Sequence, residues 1–141
     1  MNINIYRFIY TLLLVIPTLH ACTEKFDDYE LVPIRTDLTL SRITFNNDAY
    51  ILVETVKEFD SYGYEITNNY EFKDGILSVY FDKIKKFNNP PPTIAPATAL
   101  IEIDSTITFD LKMKLKRKWY TGKVEKGEIS LDNPGKIKLK E

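Results

Sequence analysis

Histidine and cysteine are all but missing from this chain of 141 residues, which holds one of each, His20 and Cys22. Everything after Cys22 therefore lacks both an imidazole and a thiol. That excludes Ser-His and Cys-His nucleophilic sites, imidazole general bases and the usual zinc ligand sets, all of which need those side chains. A disulfide within that stretch is excluded too. Carboxylates, Lys, Tyr and hydroxyls remain, but the Asp-x-Asp-x-Asp-Gly spacing of a calcium loop does not occur. Asp27-Asp28 falls where nothing holds a catalytic geometry. The chain is expected to be no enzyme, with no metal site and no cofactor. No apolar run reaches the roughly 20 residues that cross a bilayer as a helix, and no internal repeat is visible.

What is present begins with a mostly apolar stretch, residues 8–19, behind Arg7 and followed by the small residue Ala21 immediately before Cys22. This is the layout of a secretory signal. Leu19-His20-Ala21-Cys22 resembles the lipobox of bacterial lipoproteins, with His20 where that family usually has a small side chain. The resemblance implies cleavage before Cys22, a diacylglycerol on its thiol and acylation of the freed amine. An ordinary signal peptide followed by an unmodified cysteine is the alternative. Two or more acyl chains hold a protein stably on a membrane, whereas one does so only marginally. Lys25 with Asp27-Asp28 resembles the tag that sends some Gram-negative lipoproteins to the outer face of the outer membrane; as charge alone it reads as a solvated tether. A lipid-anchored outer-membrane protein is expected, and nucleic acid is a poor partner there.

The expected organisation is a signal peptide over 1–21, an acidic tether over 22–36 and one domain over 37–141. The tether can reach about 50 Å at 3.3 Å per residue. Charge divides unevenly: residues 22–110 carry 16 acidic and 8 basic side chains, and 111–141 carry 4 acidic and 10 basic. Leu38 and Leu40 alternate with polar residues, and Ile43 and Phe45 resume on the other parity, which predicts a strand with a bulge. Residues 49–59 fit a helical face, but the β-branched density of Ile51, Val53, Thr55 and Val56 favours a strand. Asp74-Gly75 predicts a two-residue turn that pairs Phe72 with Leu77, Tyr70 with Val79 and Asn68 with Phe81. The proline-rich 88–97 cannot be a central strand and should be an extended crossing, followed by a short strand over 99–103, a long half-buried strand over 107–115, and strands over 128–131 and around Ile137 and Leu139. About eight strands in a single antiparallel, immunoglobulin-like β-sandwich are expected.

Two constellations stand out. Lys112, Lys114, Lys116 and Lys118 fall on one parity and form a basic face, suited to anionic headgroups or an acidic polysaccharide; a solvated or edge-protecting row is the plainer reading. Among many aromatics, Tyr62, Tyr64, Trp119 and Tyr120 sit beside Gly63 and Gly122, where turns would keep them exposed at one end of the sandwich.

Asp60 to Ile66, then Asp74 to Val79, the proline-rich loop and Ile101-Glu102-Ile103 resemble the small β-sandwich domain of bacterial protease-complex accessory subunits. Arg117-Lys118-Trp119 is similar to the Arg-Pro-Trp loop of chagasin-type cysteine-protease inhibitors, with Ser61-Tyr62-Gly63-Tyr64 standing for their Thr-Thr-Gly-Tyr loop. Lys118 replaces the proline, Tyr62 replaces a threonine, and a proline-rich segment stands where that family has a glycine-rich loop. The reading at this point is an envelope-anchored, non-catalytic lipoprotein that binds a protein or glycan partner through loops at one end, with Tyr62, Gly63, Tyr64, Trp119 and Tyr120 as the contact set. A protease-inhibitor-like or protease-accessory module is the alternative. A carboxylate-based glycoside hydrolase is the third reading and the least favoured, since it needs two carboxyl groups about 5 to 9 Å apart in a cleft.

Overall fold

The computed structural model describes residues 29–88 and 92–141. Cys22, the expected signal peptide and the first part of the expected tether lie outside them. The described residues form β1 (Tyr29–Pro33), β2 (Leu38–Phe45), β3 (Asp48–Phe59), β4 (Glu65–Lys73), β5 (Ile76–Phe87), β6 (Ala95–Ile103), β7 (Phe109–Leu115), β8 (Lys118–Glu125), β9 (Glu128–Leu131) and β10 (Ile137–Leu139). The segment 49–59 is thus strand, as its β-branched residues favour.

One sheet contains all ten, in the order β10-β2-β3-β6-β4-β5-β7-β8-β9, with β1 added beside β5. The end strands β9 and β10 are joined by the short 132–136 segment and approach each other, so the sheet curls into a nearly closed barrel. The all-β class holds, with two corrections. The described residues form ten strands instead of about eight, and the sheet is mixed, because β10/β2, β4/β6 and β5/β7 pair in parallel. Leu40, Ile51, Val53, Val79, Ile101, Leu111, Met113 and Tyr120 are among the buried side chains of a single core inside the curl.

Part of the segment expected as tether is strand. Tyr29↔Phe87 through Pro33↔Lys83 pair β1 with the second half of β5, end to end with β7, which pairs with the first half. Ile34 is buried in the core. The folded domain therefore includes residues 29–36.

At the Asp74-Gly75 hairpin the expected pairs are the observed ones: Phe72↔Leu77, Tyr70↔Val79 and Asn68↔Phe81. Both turn residues have positive φ, 53° and 74°, as the twist of a two-residue hairpin demands. A Cβ on Gly75 would meet nothing within 4 Å, so only its backbone conformation resists substitution. Gly75→Val should destabilise the fold by about 1–3 kcal/mol. Thermal melts check this, and an unchanged midpoint would mean that Gly75 does not hold a left-handed conformation.

Three irregularities depart from simple alternation. No bulge occurs in β2, whose register runs unbroken from Leu38↔Thr55 to Phe45↔Asp48. Ile43 instead faces outward opposite Tyr50, and Phe45 is exposed. Proline does enter the sheet at Pro96, opposite Glu58, next to a register shift in β3. There the buried Thr55 hydroxyl accepts from the Ala97 N–H at 2.9 Å and donates to the Lys57 carbonyl at 2.8 Å. A side chain thus replaces the ladder bonds that the bulge removes. In β5, Asp82 and Lys83 stand opposite Thr67 alone, and the Thr67 hydroxyl bonds both the N–H and the carbonyl of Lys83.

Candidate functional site

Inward and outward positions sort the expected contact residues into two groups. In β8, Tyr120, Gly122 and Val124 point into the core while Trp119, Thr121 and Lys123 face solvent. Tyr120 is 1% exposed, against 41% for Trp119. Gly122 lies within β8, opposite Leu131, and not in a turn. In the loop 60–64 the division is similar. Tyr64 is buried, packs edge-on against Phe59 at 5.5 Å and lies under the Lys86 ammonium. Gly63 takes φ +85°, and Tyr62 projects with 52% exposure. Tyr64 pins the loop, Gly63 turns it, and Tyr62 is the side chain it presents. Of the five expected contact residues, Tyr62 and Trp119 present rings to solvent.

Trp119 does not stand alone. Parallel pairing of β5 with β7 sets Tyr80 beside Lys114, and Lys114 is opposite Trp119. The Tyr80 and Trp119 rings meet edge to face at 5.4 Å, and the Lys114 ammonium lies 5.5 Å from the Trp119 ring. Such contacts favour a fixed, amphipathic surface. Asn133 holds the backbone beneath it, accepting from the Thr121 N–H at 2.8 Å and donating to the Trp119 carbonyl at 3.4 Å. Up the same outward strip of β5, Lys85 sits between the rings of Tyr29 at 4.4 Å and Phe87 at 5.0 Å. Glu65, at the foot of the Tyr62 loop, is opposite Lys85, five positions or about 16 Å along β5 from Tyr80. Tyr62 and Trp119 therefore lie toward one end without forming one contiguous patch.

The basic face resolves into parts. Lys112 and Lys114 project outward from β7, Lys116 lies in the β7–β8 turn at φ 58°, and Lys118 stands on the inward parity of β8 with its ammonium 5.1 Å from the Tyr120 ring. The turn breaks the row after Lys114.

A second feature, which composition and motifs did not flag, lies at the other end of the barrel. β4 meets β6 through a single bridge, Glu65↔Thr98, and then leaves it. Between the diverging strands is a cavity of about 180 Å³ lined by Tyr70, Phe72, Leu77, Ile107 and Phe109 on its apolar side. Phe72 and Phe109 pack edge to face at 5.6 Å. Its mouth carries Glu102 and Asp104, and an adjoining pocket adds Asp48 beside them. The Thr106 hydroxyl and then its N–H donate to Asp104, at 2.6 and 2.8 Å, and hold its carboxyl below the usual carboxylate range. Desolvation first, and then Asp48 and Glu102, push the Tyr50 phenol above its ordinary value. Among the described residues no group of His, Cys, Asp and Glu is placed to hold a metal ion.

Compared with protein-family models, curated proteins and solved structures, the chain matches none of them.

Proposed function

We propose that this chain is an envelope-anchored, non-catalytic binding protein of the bacterial outer membrane, held by lipid on Cys22 and facing outward. It takes a protein or glycan partner at the end of the barrel from which the anchor emerges, much as an immunoglobulin-like sandwich uses the loops at one end. The observation that supports this most is the Tyr80–Trp119 pair with Lys114 against it, an aromatic surface that is held in place and yet open to solvent. Tyr62 adds a second exposed ring from the neighbouring loop. Aromatic anchors of this kind dominate binding patches, at about 2 kcal/mol or more each on truncation, a factor of about 30 in affinity. The inhibitor-like reading has less support, because Ser61 and Tyr64 are buried and only Tyr62 of that loop reaches out.

The test compares wild type, Cys22→Ala and Tyr62→Ala/Trp119→Ala in cells. Cys22→Ala should leave the membrane fraction or remain as the uncleaved precursor, and the wild-type mass should show acyl chains on a chain beginning at Cys22. Captures from outer-membrane and secreted fractions should lose their main partner with the double variant, although its melting temperature falls by only a few degrees. A protease as that partner would select the inhibitor-like reading. An unmodified soluble mature protein would overturn the anchoring, and an identical partner set would overturn the surface.

A further inference from the structure

Beyond the Glu65↔Thr98 bridge, β4 has a neighbour on one side only among the described residues. Two observations show which of its backbone groups face the open side. The Tyr64 carbonyl accepts from the Thr98 N–H at 3.0 Å, so even-numbered residues point toward β6. From the turn, Lys73↔Ile76 and Glu71↔Ser78 are the hydrogen-bonded pairs of a two-residue hairpin, which turns Phe72 and Tyr70 away from β5. Asn68, Tyr70 and Phe72 thus offer their N–H and C=O groups outward, with no strand of the described residues opposite. At Ile66, where β6 departs, the Asn68 side chain covers the carbonyl at 3.2 Å. The rings of Tyr70 and Phe72, about half exposed, stand beside this edge over the apolar cavity.

We propose that this open edge of β4 accepts an extended polypeptide segment as an added strand, one that alternates apolar and cationic side chains. Main-chain bonds to Asn68, Tyr70 and Phe72 supply affinity of the kind that strand addition supplies elsewhere. An apolar side chain of the segment enters the cavity beside Phe72 and Phe109. The adjacent Lys or Arg, which the alternation turns to the outer face, meets Glu102 or Asp104 at the mouth, and this charge complementarity identifies the partner chemistry. A second copy of this chain fits poorly, since two acidic mouths would face each other. The chain's own tail fits poorly as well, because Tyr29 pairs with Phe87 at the opposite end of β5 from the Asp74-Gly75 turn. The inference is independent of the Trp119 surface.

The probe is a seven-residue peptide of alternating Val and Lys, titrated onto the full-length protein in detergent and followed by amide shifts of β4. The peptide should bind and shift Asn68, Tyr70 and Phe72. Its Glu-for-Lys counterpart should bind at least tenfold more weakly, and a proline at its centre should abolish binding. Phe72→Ala should weaken binding about tenfold. Tyr70→Ala and Tyr70→Pro both remove the ring, but only Pro removes the outward N–H, so Pro should bind several-fold more weakly than Ala at equal stability. Tyr62→Ala/Trp119→Ala should bind the peptide normally, which separates this site from the proposed partner surface. Equal binding of the Lys and Glu peptides, indifference to the central proline, or no binding at all would overturn the proposal. So would a dimer in sedimentation that Phe72→Ala dissolves, because the edge would then serve self-association.

Discussion

Tyr120→Ala should lower the melting temperature by about 15 °C, while Trp119→Ala, one residue away, should lower it by about 4 °C at most. Tyr120 is among the largest fully buried side chains, with its ring against Gly135 in the segment that joins β9 to β10. It fills the place where the two ends of the sheet meet. Truncating a buried aromatic to Ala costs about 3–5 kcal/mol, from lost burial and from the cavity left behind. For a domain of this size, 1 kcal/mol is about 4 °C. Trp119 loses mainly its edge-on contact with Tyr80, worth about 1 kcal/mol. Paired thermal melts distinguish the two roles, and equal losses would contradict the assignment of Tyr120 to the core and Trp119 to the surface.

Gly122→Ala is expected to detach β9 from β8. A Cβ at this position would lie 2.2 Å from the Ser130 carbonyl oxygen, with the Leu131 backbone at 3.2 Å. The obstacle is main chain, not the tip of a flexible side chain, so the strand itself must move. Overpacking of this kind costs about 3 kcal/mol. Hydrogen exchange should show the loss locally, with the Asp132 N–H, which donates to the Thr121 carbonyl at 2.9 Å, exposed first. Gly63→Ala is the control. Nothing lies within 4 Å of a Cβ there, and only its positive φ opposes the change, at about 1 kcal/mol.

These effects show what a sequence reader can and cannot see. The β4–β5 register was legible because a two-residue turn fixes every pair that follows it, and the strand at β3 because four β-branched side chains crowd a helix. Parallel pairings leave no such local mark. The neighbour of Tyr80 is Lys114, across a crossover that no turn residue announces, so the Tyr80–Trp119 pair could not be read from spacing. Tyr120 was a different case. Tyr120, Gly122 and Val124 alternate with Trp119, Thr121 and Lys123, and following that period would have placed Tyr120 inside; reading Gly122 as a turn hid it. Pro96 and Ile43 misled for opposite reasons. A threonine hydroxyl stands in for the ladder at the first, and the outer face of β2, β3 and β6 is itself partly apolar at the second. Of the expected contact residues, the two whose rings reach solvent are those on the outward parity of β8 and at the tip of a glycine turn.

Under the proposed anchoring, the position of β1 determines how the domain withstands being pulled. Cys22 is seven residues before Tyr29, so tension between membrane and partner enters the fold at the first residue of β1. Where that force runs along the strand axis, from Pro33 toward Tyr29, it shears all five pairs with β5 together instead of peeling them one at a time. Lys85, wedged between the rings of Tyr29 and Phe87, reinforces the first pair to feel it. A tether attached at the other end of the chain would pull on the three-residue β10, with far less ladder to break. The amino-terminal strand thus gives the protein a mechanically resistant grip on its own anchor.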